Sequence, residues 1–134
     1  MVQLIRRILL KGHDVNFINA LRRHLKRERF VLEEAGGPTD ARDKIRTAYL
    51  LGIPFDLIII EAGGPSPEMY TLWGWIKKKH PDISIITISG FGPYDRQIES
   101  LRADQDIFCQ KPITPEEMIA LIRMIDLNRR GKVI

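Results

Sequence analysis

The chain has 134 residues, 44% of them hydrophobic and 28% charged, which suits one soluble globular domain and excludes a disordered chain. A formal net charge of +4 permits an anionic partner without requiring one. The single cysteine, Cys109, excludes a disulfide framework and a cysteine-based metal site.

No apolar run reaches the roughly 20 residues that a membrane span needs. The first eleven residues are interrupted by Arg6 and Arg7 and lack a small-residue cleavage site, so no signal peptide is expected. With its cysteine usage, this places the chain in the cytoplasm as an expectation.

Ile8, Leu9 and Leu10 form a first short apolar strand ending at Gly12. Asp14 is a candidate N-cap for a helix whose apolar stripe is Phe17, Ile18, Leu21 and Leu25. Phe30, Val31 and Leu32 suggest a second strand, and a helix over 40–51 stops at Gly52. Residues 56–60 are the clearest strand, β-branched and apolar on both faces, as a central parallel strand is. Ser66, Pro67 and Glu68 open a helix that runs to Lys79. Residues 84–88 give a fourth strand, 93–103 a helix and 107–110 a fifth strand. Thr114 and Glu117 form a capping box for a last helix that ends near Asn128, leaving 129–134 as a tail. Strands alternating with helices predict an α/β fold, a flavodoxin-like doubly wound five-stranded parallel sheet of order 2-1-3-4-5, as one domain over 1–128.

The stretch Glu34-Ala35-Gly36-Gly37-Pro38 recurs as Glu61-Ala62-Gly63-Gly64-Pro65, with a looser echo at Gly90-Phe91-Gly92-Pro93. Such exits either cradle an anion or are turns with proline at a helix start; with neither a Walker A pattern nor GxGxxG, the turn reading is preferred.

Sheets of this kind bind ligands beyond the carboxyl ends of their strands. That rule gathers Lys11 to Asp14, Glu61, Ser89 and Lys111. A carboxylate, a hydroxyl and an ammonium together can bind or transfer a phosphoryl group, or form a buried Glu61–Lys111 ion pair; spacing alone favours the ion pair.

The run Asp56 to Glu61 followed by Pro65, His80-Pro81, Ile86-Thr87-Ile88-Ser89-Gly90 and Phe108-Cys109-Gln110-Lys111-Pro112 resembles the receiver domain of response regulators, the phosphoacceptor module of two-component phosphorelay signalling. The resemblance covers about residues 7–127. It implies that Glu61 stands at the phosphoacceptor aspartate, Ser89 at the sensing hydroxyl, Lys111 at the phosphoryl-contacting lysine and Phe108 at the switch aromatic. Gly63 would supply the carbonyl used on Mg²⁺.

Two departures alter the implied chemistry. The family's acidic Mg²⁺ pair is replaced by Gly12 and His13, and only a one-residue slip recovers Asp14. Glu61 is one methylene longer than aspartate, which disturbs an attack geometry. The expectation is a pseudo-receiver that is not an enzyme, holds no cofactor and acts through a protein partner. Glu61 either mimics the phosphorylated state in part or sits in a relaxed pocket; the relaxed pocket is preferred. Rivals are a phosphorylatable receiver using Glu61 with a weak cation site, and a small anion- or nucleotide-binding α/β protein.

The family signals through its fourth helix, fifth strand and fifth helix, here Tyr94, Ile98 and Leu101, Phe108, and Met118 to Ile125. The expected partner is a kinase, an output domain or a regulator, with a homodimer as an option. Trp73 belongs to a buried stripe with Met69, Leu72 and Ile76, leaving Trp75 outside under neighbouring side chains. The basic positions of the first helix and Lys77-Lys78-Lys79 either meet nucleic acid or are solvated faces; with no recognition motif or stacking aromatic pattern beside them, the solvated face is preferred, and neither nucleic acid nor a membrane is expected as a partner of this domain. His13, His24 and His80 are too scattered for a metal site.

Overall fold

A computed structural model describes residues 5–12, 14–62, 67–89 and 106–133. Five parallel strands lie in the order β2-β1-β3-β4-β5: β1 Arg7–Lys11, β2 Val31–Ala35, β3 Leu57–Ala62, β4 Ser84–Ser89 and β5 Ile107–Gln110. The described helices are α1 Val15–Arg27, α2 Pro38–Leu50, α3 Pro67–Lys79 and a C-terminal helix Pro115–Val133. The expected helix over 93–103 lies outside the described residues.

Alternation along the strands builds two cores. Leu9, Ile58, Ile60 and Ile85 meet α2 and α3, while Ile8, Leu10, Leu57, Ile59 and Ile86 meet α1 and the C-terminal helix. Each such side chain withdrawn from water contributes about 1.5–3 kcal/mol, so β3 needs no polar face.

The helix starts follow local chemistry. Asp14 caps α1 through its side chain, which accepts from the Asn16 and Phe17 N–H groups at 3.0 and 3.2 Å. Thr114 and Glu117 exchange reciprocal bonds of 3.1 and 3.2 Å, completing the capping box. Gly52, at φ 76°, ends α2 in the left-handed region. At the first of the repeated exits, the Gly36 N–H donates to Asp40 Oδ2 at 2.9 Å and Pro38 opens α2, which supports the turn reading there. Gly63, Gly64, Pro65 and the third echo lie outside the described residues.

Three expectations need correction. Strand β2 begins at Val31 and extends to Ala35, because it pairs with β1 through Glu33 and Glu34 although both are exposed. The last helix does not stop near Asn128: it runs to Val133, and the Arg129 guanidinium is drawn onto the sheet. Lys77 is not on a solvated face. Its Nζ lies 2.7 Å from the buried Asp106 carboxylate, whose other oxygen accepts the Ile85 N–H at 2.8 Å. With the Trp73 Nε1 bond to Thr87 Oγ1 at 3.0 Å, this pair clamps α3 across β4 and β5.

Candidate functional site

The sheet register fixes where the site residues meet. Glu61 pairs with Ile88 and Ala62 with Ser89, and Ser89 in turn pairs with Gln110, next to Lys111. Glu61, Ser89 and Lys111 therefore share the carboxyl end of the three adjacent strands. A cis peptide joins Lys111 to Pro112. The Ser89 side chain, His13 and Gly63 lie outside the described residues.

The Glu61 carboxylate is the centre of the arrangement and only 1% of the residue is exposed. Lys111 Nζ donates to its Oε2 at 2.8 Å, and the Asp14 N–H donates to its Oε1 at 2.6 Å. Both oxygens thus face donors. Lys111 Nζ also lies 3.7 Å from Asp14 Oδ2 and 5.0 Å from the centre of the Phe17 ring. Asp14 is held below the usual carboxylate range, chiefly by the Phe17 N–H bond and then by the charge of Lys111. One residue thus does two jobs: its side chain caps α1 and its N–H fixes Glu61.

Gly12 has a steric cause. A Cβ built there would fall inside the Ile18 side chain, at Cγ1 and Cδ1. Ile18 is buried in the first turn of α1 and fills the space beside β1 where an acidic side chain would have to start. Sequence reading found the missing acid but not its replacement, because Ile18 reads only as a member of the helix stripe.

Mg²⁺ requires oxygen ligands in near-octahedral array. Gly12 offers no side-chain oxygen and Ile18 no polar atom. One Asp14 oxygen caps a helix, and both Glu61 oxygens take hydrogen-bond donors. Among the described residues the donor set does not fit the ion, and no group of three His, Cys, Asp or Glu residues gathers elsewhere.

Phe108 pairs with Thr87 in register and packs, half-buried, against the α3-side core. On the C-terminal helix, Met118, Ile119, Ile122 and Ile125 are buried, while Met124 and Leu127 stay 49% and 62% exposed. Tyr94, Ile98 and Leu101 lie outside the described residues. Trp73 is buried, and Trp75 is half-covered by Arg42, Arg46 and His80, as its helical position predicts. Burial pulls His80 below its ordinary value, with Arg46 adding to the effect. No described helix is long and apolar enough to cross a membrane.

No family model matches the chain, and no curated protein does. Solved structures do. A CheY-like response regulator receiver domain protein from Methanospirillum hungatei JF-1 superposes with a TM-score of 0.77 at 20% identity, covering 95% of this chain and 98% of that one. The beryllofluoride-activated NtrC4 receiver domain dimer gives 0.75 at 22% identity, over 91% and 97% of the two chains. Response regulator TrrA from Thermotoga maritima, in complex with Mg²⁺ and beryllofluoride, gives 0.70 at 22% identity, over 90% and 99%. The fold is that of response-regulator receiver domains.

Proposed function

We propose that this chain is a receiver-like signalling module of the cytoplasm that acts by binding other proteins, without a catalytic activity or cofactor of its own and without the usual aspartyl phosphorylation. The observation that carries this reading is the Glu61 carboxylate, held between Lys111 Nζ at 2.8 Å and the Asp14 N–H at 2.6 Å.

Phosphoryl transfer needs an in-line nucleophile and a cation to neutralise charge. Here the carboxylate at the acceptor position is already bonded through both oxygens, and Ile18 stands where an acidic ligand would begin. The same contacts favour partial mimicry over the relaxed pocket that sequence alone preferred. Lys111, at the family's phosphoryl-contacting position, already has an anion. That anion carries −1 where a phosphoryl group carries about −1.5 to −2, so the pocket is held in a fixed, partly charged state. Output then depends on which surfaces the fold presents, and Met124 and Leu127 on the C-terminal helix are the exposed apolar pair that a protein partner can cover.

The test is an amide NMR titration with millimolar Mg²⁺ followed by beryllofluoride. Wild type is expected to give no shifts at Asp14, Glu61 or Lys111. The variant Gly12→Asp/Ile18→Ala/Glu61→Asp, which restores an acid, its space and the shorter acceptor, is expected to gain them. Shifts in the wild type, or a phosphoryl mass increment from acetyl phosphate, would establish the phosphorylatable rival instead.

A further inference from the structure

Among the described residues seven cations make side-chain ion pairs: Arg7 with Glu33, Arg22 with Glu34, Lys44 with Asp40, Arg46 with Asp43, Lys77 with Asp106, Lys111 with Glu61 and Arg123 with Glu28. Others, among them Lys78 and Lys79 at the end of α3, make none. One corner holds the largest group of these. Arg23, Lys26 and Arg27 on α1, Arg29 in the turn that follows and Arg6 before β1 are all exposed, and none makes a side-chain ion pair among the described residues. The backbone joins them: the Arg29 N–H donates to Lys26 O at 3.0 Å and the Val31 N–H to Arg6 O at 2.9 Å. The acid amid this group, Glu28, is engaged by Arg123 at 3.0 Å.

Complementing the helix dipole accounts for Lys26 and Arg27, which lie in the last turn of α1. It does not account for Arg23, a turn earlier, or for Arg6 and Arg29, outside the helix. We propose that this corner is a docking surface for the phosphate backbone of duplex nucleic acid.

Three features select that partner. Four of the five cations are arginines, whose planar fork bonds phosphate oxygens in pairs. Arg23 and Arg27 stand about one helical turn apart, roughly 6 Å of rise, so two long side chains from one helix can reach different phosphates. Beside Arg23, Lys26 and Arg27 the exposed positions of α1 are Asn16, Asn19 and Val15; Val15, 71% exposed, lies at the other end of the helix, and Val31, 50% exposed, is a single small side chain near the cations. A bilayer requires an inserted apolar face, and a protein interface is centred on buried anchors. A phosphate array requires neither.

The experiment is fluorescence anisotropy of the full chain with a labelled 20-base-pair duplex of arbitrary sequence, between 50 and 200 mM salt. Five phosphate contacts predict a log–log salt slope near −4.5, and so a loss of about 500-fold across that range. Arg23→Gln/Arg27→Gln/Arg29→Asn is expected to bring the slope to about −2. Asparagine is chosen at 29 because that residue sits at φ 69°. Lys78→Gln/Lys79→Gln, on the opposite side of the sheet, is expected to leave the slope unchanged, with circular dichroism confirming both folds. The proposal is overturned if wild type does not bind at 50 mM salt, or if the two variants weaken binding equally, which would mean bulk charge alone. Phosphatidylserine vesicles or polyglutamate bound as tightly as the duplex would overturn it in favour of a lipid or an acidic protein.

Discussion

Glu61 and Lys111 form an unequal pair. The Glu61 side chain is 2% exposed and that of Lys111 27%. Lys111→Met removes its nearest cation from a carboxylate that cannot reach water, which is expected to cost about 3–5 kcal/mol. Glu61→Gln leaves an ammonium that can turn to solvent and still has Asp14 Oδ2 at 3.7 Å, so about 1–2 kcal/mol is expected. Urea unfolding of both variants checks the order, and equal losses would mean that the pair is not the buried contact described. Cys109 gives a chemical check on the same end of β5. Burial, with the Glu117 carboxylate second, pushes its thiol up to about 11. At pH 8 its thiolate fraction is lower than that of an ordinary cysteine by about a hundredfold. Alkylation by iodoacetamide should be slower by that factor in the native protein and return to normal in urea; fast native labelling would contradict the packing of β5.

Three helix starts carry carboxylates lowered by backbone N–H groups, which makes those ends sensitive to acid. Asp14 is lowered first by the Phe17 N–H, Asp40 first by the Gly36 N–H, and Glu116 first by its own backbone N–H. In each case the folded value lies below the unfolded one, so on acidification the unfolded chain takes up protons first. The stabilisation is complete above the ordinary carboxylate values of 3.8 to 4.5 and is lost as pH falls through the depressed ones. Thermal midpoints should hold from pH 6 to about pH 5 on this account and fall steeply below about pH 4. Asp14→Asn, which keeps a capping oxygen without the charge, should flatten part of that fall. An unchanged acid profile in that variant would remove Asp14 from the explanation. His80 acts in the same direction at higher pH. Its folded value is depressed below 6.5, so some stability is lost as pH drops below that point.

At the scale of the whole molecule, local signals were legible and distant ones were not. The capping box at Thr114, the stop at Gly52 and the apolar run of β3 depend on neighbours within a few residues, and sequence exposes such relations directly. The convergence of Glu61 and Lys111 was legible because sheet topology alone brings strand ends together. Ile18 against Gly12, Lys77 against Asp106 and above all Arg129 were not, because each depends on side chains meeting across layers. Arg129 read as tail, yet it reaches back 73 positions. Its Nη2 donates to Asp56 O at 2.7 Å, Asp82 O at 2.6 Å and Ser84 Oγ at 2.6 Å. Burial pulls its guanidinium below the usual arginine value, opposed by Asp56 and then Asp82. These bonds satisfy carbonyls at the entries to β3 and β4, at the end of the sheet opposite Glu61. Asp56 also accepts the Arg6 and Arg7 N–H groups at 2.9 Å each, so Arg129 holds together the starts of three adjacent strands. Arg129→Met keeps much of the apolar stem and removes the donors, which should cost about 2–3 kcal/mol. A chain ending at Asn128 should lose at least as much. For a domain of this size that corresponds to a fall in thermal midpoint of about 6–15 °C. A chain cut at 128 with an unaltered midpoint would restore the tail reading and make Arg129 dispensable. A loss in the truncated chain alone, without one in Arg129→Met, would assign the stability to the helix end and not to the guanidinium.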